Sequence, residues 1–271
     1  MMRQRTDRLA LTTVLLLAAV FALFFLLPFA GLIQRALADG ETWETARSGV
    51  VRDALWLSLW TSIVSLAIAV LFGTPVAYLL SRATFPGKSL VDAFVDLPIV
   101  LPPTVAGVAL LTAFGRRGLL GQPLEEWAGL TLGFTTTAVI MAQVLVAAPF
   151  YVRAARAGFD EVDPQYERVA YTLGASRLRT FFQVIAPQAG PALAAGMVLC
   201  WARAMGELGA TLIFAGNFRG ETQTMPLAIV QAFEGALGLS GAVALSLVLL
   251  AVALVVLVLF RLVTSRLRVP L

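Results

Sequence analysis

Apolar residues along this 271-residue chain fall into six long runs, near 9–34, 54–81, 91–115, 134–158, 188–216 and 238–264, separated by shorter polar stretches. Each run is long enough to cross a hydrocarbon core of about 30 Å as a helix, several of them with tilt or a break. The pattern predicts an all-α membrane protein with six transmembrane helices, a single polytopic domain over residues 1–271. One polar stretch, 160–187, reads DEVDPQYERVAYTLGASRLRTFFQVIAP and has an order of its own. Asp163 is a good N-cap, and Pro164 stands at the first helical position, where its missing N–H costs nothing. Tyr166, Val169, Ala170 and Leu173 then recur at i, i+3, i+4 and i+7, one stripe of a short amphipathic helix. Gly174 follows where a left-handed residue ends the helix. Ser176 can cap a second helix, on which Leu178, Phe181, Phe182 and Ile185 repeat the spacing up to Pro187. The unit is too short and too charged to span a bilayer. It shows an apolar face with no core of its own to cover it, which is a docking surface; the plainer alternative is a loop resting on lipid headgroups.

Composition narrows the classes. The chain is 59% hydrophobic and 13% charged, against about 25% charged in soluble domains. It has no His and one Cys, Cys200, so an intrachain disulfide is impossible and a His/Cys metal site is nearly excluded. No Walker A sequence, Ser/His/Asp set or dinucleotide fingerprint is present, so the reading is a non-enzyme that binds no cofactor. The net charge is +4, yet no basic block is interleaved with aromatics, and nucleic acid is not the expected partner. The charge serves topology instead. With both termini in the cytoplasm, thirteen Lys and Arg lie on the inner side and six on the outer, the expected bias. This puts 160–187 in the cytoplasm, between the fourth and fifth helices. Eight acids offset the six outer Arg, so capture of a free anion at the outer mouth is not expected. Ala36-Leu37-Ala38 resembles a leader cleavage site, but the preceding run exceeds the usual 7–15 residues, and an uncleaved first helix is expected.

Two runs hold chemistry. The third contains Pro98, Pro102 and Pro103, which must kink or break it in its first half. Freed carbonyls at membrane depth need protein or a watery cavity, so Pro102, Pro103 and the Thr104 hydroxyl are candidates to line a pathway. A packing kink is the alternative. The fifth run carries Arg203 and Glu207, four apart on one face, near the middle of the span. They are either a buried structural pair or, for Arg203, a guide for an anionic solute. Ala202, Gly206 and Ala210 give small-xxx-small spacings for a close helix contact. Asp92 and Asp96 read as a solvated cap, and Asn217–Glu234 as an ordered outer loop with a short helix.

Glu167, Ala170, Gly174 and Pro187 together resemble the EAA loop of ABC importer permeases. The commoner spacing would put the acid at Arg168, the first Ala at Val169, and Leu at Ala186. Residues 96–121 and 202–229 are similar to the third helix, and to the fifth helix with its following loop, of molybdate/tungstate permeases, with related sulfate/thiosulfate permeases next. The Gly115–Gly118 turn and the GETQT run favour molybdate. The resemblance implies a type I ABC importer permease. It implies a homodimer over two cytoplasmic ATPase subunits, which hold ATP and Mg, and an external binding protein that delivers the oxyanion. The contacts it implies for the ATPase are Glu167, Val169, Ala170, Leu173, Gly174, Ala175 and Pro187. A secondary anion transporter or a channel is the rival class, and membrane lipid is a partner in any of them.

Overall fold

The computed structural model describes residues 2–267, which are helical throughout apart from turns and short loops, with no strand among them. The chain divides into two compact units. The first takes in Met1–Ser48 and Ile229–Val248, and so holds α1 (Met2–Ala38) and α2 (Gly40–Ala46). From Leu11 on, α1 is apolar and its large side chains are exposed, as suits a helix bathed in lipid.

The second unit holds α3 (Gly49–Arg82), α4 (Lys88–Val100), α5 (Pro103–Phe114), α6 (Gly121–Ala128), α7 (Thr136–Glu161) and α8 (Pro164–Thr172). It continues with α9 (Arg177–Thr180), a π-turn (Phe181–Ile185), α10 (Ala186–Gln188), α11 (Gly190–Met205) and α12 (Gly209–Ala215). Two further helices, α13 (Met225–Glu234) and α14 (Gly238–Leu267), have residues in both units. Four described helices are long and apolar enough to cross a membrane, and six spans result when each of two bent pairs is taken as one.

Small residues decide the packing of α3, α7 and α11. On α3, Ser58, Ser62, Ser65, Ala69, Gly73 and Ala77 are buried at three- or four-residue intervals, so one face is nearly free of side-chain bulk. A Cβ on Gly73 would lie 2.9 Å from Val152 Cγ2, and one on Gly196 would lie 2.8 Å from Ala154 Cβ. Tyr151, Phe159, Ile185 and Cys200 fill the space between these close approaches. The buried hydroxyls of α3 bond inside the protein, as a lipid environment demands. Thr61 Oγ1 donates to Leu57 O (2.7 Å) and Ser65 Oγ to Gln143 Oε1 (2.9 Å).

The expected break in the third run lies at Leu101–Pro102, where the chain bends by 115° between α4 and α5. Leu101 is extended (φ −68°, ψ 135°), the conformation that a following proline imposes. The fifth run, read as one span over 188–216, is not a single straight helix. It bends by 76° between Arg177–Gln188 and α11, then is interrupted at Gly206–Leu208 before α12. Nor does Pro187 end the second helix of the polar unit. The Ala186 N–H bonds back to Phe181 O, five residues away. That widened turn makes room where a proline ring would strike the Gln183 carbonyl in an ordinary α-turn.

Candidate functional site

The 160–187 unit forms as its sequence dictates. Asp163 accepts from the Gln165 N–H (2.8 Å) and Ser176 from the Arg179 N–H (3.4 Å), capping α8 and α9. Between them, the Ala175 N–H bonds Ala170 O (3.0 Å) and the Gly174 N–H bonds Tyr171 O (3.0 Å). This is the Schellman pattern, and it requires the left-handed φ of +81° that Gly174 adopts. The apolar positions divide between two faces. Ala170 and Ile185 are buried, whereas Val169, Leu173, Leu178 and Phe182 are exposed, Leu173 at 82%. Ala175 is half-buried and Pro187 exposed.

Glu167 does not share that outward face. Its carboxylate accepts from Arg82 Nε (2.6 Å) and Tyr78 Oη (3.2 Å), both in the last turns of α3. Arg82 Nη2 also donates to Val162 O (2.7 Å), and Ser81 Oγ to Asp160 Oδ1 (2.6 Å). The Tyr78 ring meets Phe159 and Phe181 edge-on at 5.6 and 5.2 Å. The end of α3 therefore grips the end of α7, α8 and the π-turn together. Sequence reasoning missed Tyr78 and Arg82; the available signal was an Arg closing an apolar span opposite an acid-bearing loop.

The candidate pathway residues come together where the two broken helices meet. A Cβ on Gly209 would lie 2.9 Å from Pro103 Cβ and 3.2 Å from the Thr104 N, and one on Gly107 would lie 2.9 Å from Ala210 Cα. The starts of α5 and α12 are thus in backbone contact. Pro102 and Pro103 stand at the N-cap and first position of α5, beside the exposed Thr104. Arg203 and Glu207 form the expected pair, Nη1 to Oε2 at 2.7 Å, though not on one helix. Glu207 sits in the break, 1% exposed. Its Oε1 accepts from the Ala210 N–H at 2.8 Å, capping α12. Its Oε2 meets Arg203 charge to charge, without the alignment of a hydrogen bond. Of the small residues expected to allow a close approach, Ala210 does so, with Gly209 beside it, whereas Gly206 is exposed.

Two further expectations change. Asp92 and Asp96 do more than cap a helix in solvent: Asp92 pairs with Arg156, and the partly exposed Asp96 with Arg153 (3.3 Å), two rungs joining α4 to α7. The loop before α13 is ordered, as expected, and is drawn inward, with Thr222, Gln223 and Thr224 buried. The Met225 N–H donates to Ser58 Oγ (2.7 Å) and Thr136 Oγ1 to Glu221 O (2.8 Å), fixing the loop to α3 and α7. Among the described residues no cluster of His, Cys, Asp and Glu could hold a metal ion.

A helical membrane domain with two broken spans and an exposed helix–glycine–helix tip defines a class, and comparison with known proteins agrees. Residues 69–269 match the family described as binding-protein-dependent transport system inner membrane component, and the chain belongs to that family. It is a permease subunit, the non-catalytic membrane part of an ABC transporter. Among its relatives, the molybdenum transport system permease protein ModB of Escherichia coli K12 is 40% identical over 76% of this chain and 92% of that protein. The probable transport system permease protein NifC of Clostridium pasteurianum is 35% identical over 92% of this chain and 85% of that one. The fold is shared with a chain from a bacterial ABC transporter that imports alginate (TM-score 0.75, 18% identity, 96% of each chain). It is shared also with a chain of the MetNI methionine ABC transporter (TM-score 0.63, 16% identity, 81% of this chain and 97% of that one).

Proposed function

We propose that this chain is the transmembrane permease of an ATP-driven, binding-protein-dependent importer of molybdate or tungstate. The observation that carries the reading is the 160–187 tip. Asp163 and Ser176 are spent on its own caps and Glu167 on α3, while Val169, Leu173, Leu178 and Phe182 stand uncovered. Such a face fits an apolar cleft on another protein, and the chain has no nucleotide motif of its own, so energy enters there. Two cytoplasmic ATPase subunits, holding ATP and Mg, take the tips of a homodimer; both termini lie on the same side, in the cytoplasm of a cell with this permease in its inner membrane. Closure of the ATPases biases the bundle between two packings. The anion passes the meeting point of α5 and α12, near Thr104 and Arg203. Molybdate is favoured by the molybdenum permease relatives. Sulfate is the second reading, since a probable sulfate permease from Chlorokybus atmophyticus is 37% identical over 78% of this chain. Uptake of radiolabelled molybdate, tungstate and sulfate into proteoliposomes bearing permease, ATPase and binding protein tests it. Saturable, ATP-dependent molybdate uptake that tungstate competes and sulfate does not is expected. Preference for sulfate, or uptake without the ATPase, refutes it.

A further inference from the structure

A push delivered at the 160–187 tip has to reach the opposite end of the membrane domain, and the geometry favours one route. The fifth run yields at its 76° bend and again at Gly206–Leu208, and the third at its 115° bend. A helix bent at a proline or an interruption gives way there before it transmits thrust along its axis. By contrast, α3 and α7 run unbroken and lie against each other through small residues. At Pro75, where α3 lacks a donor, the neighbouring Thr74 hydroxyl lies 2.6 Å from Val70 O and 2.6 Å from Tyr151 Oη, bracing the turn on α7. Chain connectivity joins α7 to the tip. Nothing in the chain order joins α3 to it; Arg82 does, by its contacts with Glu167 and Val162, assisted by Tyr78 on the same carboxylate and by Ser81 on Asp160. At the far end, α3 holds the Met225 N–H through Ser58, and α7 holds Glu221 O through Thr136. From Ser58 to Arg82 is 24 residues, about 36 Å of helix.

We infer that α3 is a transmission rod running in parallel with α7, engaged at the tip by the Arg82–Glu167 tie and delivering motion to the loop before α13. Arg82 is a positioning residue, not a contact for the ATPase. The inference rests on the proposed docking of ATPase subunits at the tip. The test uses the assembled complex in proteoliposomes, with Glu221→Cys as a reporter on the far loop in a Cys200→Ala background. The measured quantity is the rate at which a membrane-impermeant maleimide labels residue 221, with and without ATP and vanadate. In the parent complex ATP is expected to change that rate at least threefold. Arg82→Gln is expected to keep the ATPase subunits bound while abolishing the change and lowering molybdate uptake at least tenfold. Where Arg82→Gln does not insert, Glu167→Ala, which cuts the same tie and leaves α3 intact, is the variant to read. A labelling change that survives either variant overturns the rod. Loss of the ATPase from the variant overturns it too, because the tie would then serve docking. A parent complex that never retains the ATPase overturns both readings at once, so the two failures are distinguishable.

Discussion

Replacing Arg203 with Ala isolates the most exposed energetic weakness of the membrane domain. Glu207 is almost wholly buried, and its Oε2 has only the Arg203 guanidinium, 2.7 Å away, to balance its charge. Removing one partner of a buried pair costs about 3–5 kcal/mol. The Arg203 side chain is 27% exposed, so some solvent screening puts the loss near the lower end, about 3 kcal/mol. At about 2–4 °C per kcal/mol for a domain of this size, Arg203→Ala lowers the unfolding midpoint by about 6–12 °C. Adding Glu207→Gln removes the orphaned charge and keeps an amide oxygen for the Ala210 N–H, so the double variant should recover more than half of that loss. The chain provides its own reporter: Cys200 is its single cysteine and is buried, so a thiol-reactive dye reads unfolding of detergent-purified permease directly. A shift under about 2 °C for Arg203→Ala, or no recovery in the double variant, would refute the reasoning. Stability that recovers while molybdate uptake does not would assign Arg203 a part in the pathway beyond the pair.

Leu173→Asp puts a charge on the exposed face of the tip, and retention of the ATPase subunits on affinity-purified permease should fall at least tenfold with the unfolding midpoint unchanged; equal retention contradicts docking there. Gly174→Val forces a β-branched residue into a φ of +81°, at a cost of roughly 1–2 kcal/mol, and should lower binding-protein-stimulated ATP hydrolysis more than basal hydrolysis. Gly73→Leu drives a side chain into Val152 and Tyr151, an overpacking of about 1–3 kcal/mol or more, visible as a lower midpoint in the dye assay. Ser58→Ala strands the buried Met225 N–H, at about 1–3 kcal/mol, and should quicken proteolysis of the loop before α13.

The parts legible in the sequence are those governed by near neighbours. Asp163, Pro164, Gly174 and Ser176 act within four residues of themselves, and each stands where its local rule puts it. The break at Pro102–Pro103 is equally local. The misread parts depend on partners far along the chain. Asp92 and Asp96 looked solvated because Arg156 and Arg153 lie some sixty residues away. Arg203 and Glu207 looked like a helical pair because their spacing permits one, and only the fold shows Glu207 leaving the helix to cap the next. Gly206 satisfied the small-residue pattern, yet the tight contacts fall at Gly196 and Gly209, since a spacing rule names eligible positions and the facing helix chooses among them. The grip of α3 on the tip needed Tyr78 and Arg82 to meet a residue more than eighty positions on, which no window of sequence contains.

The widened turn at Phe181–Ile185 sets a phase. Each residue of an α-helix advances the side chain by about 100°, and a π-turn adds in effect one residue to a single turn. Ahead of it, Leu178 points away from the protein; at its last residue, Ile185 points in. The surplus residue lets one rod answer two surfaces whose angular demands do not match, much as a vernier offsets two scales. Deleting a single residue there would restore regular winding and swing everything upstream by about a quarter turn, presenting the wrong side of the tip while leaving every side chain chemically the same.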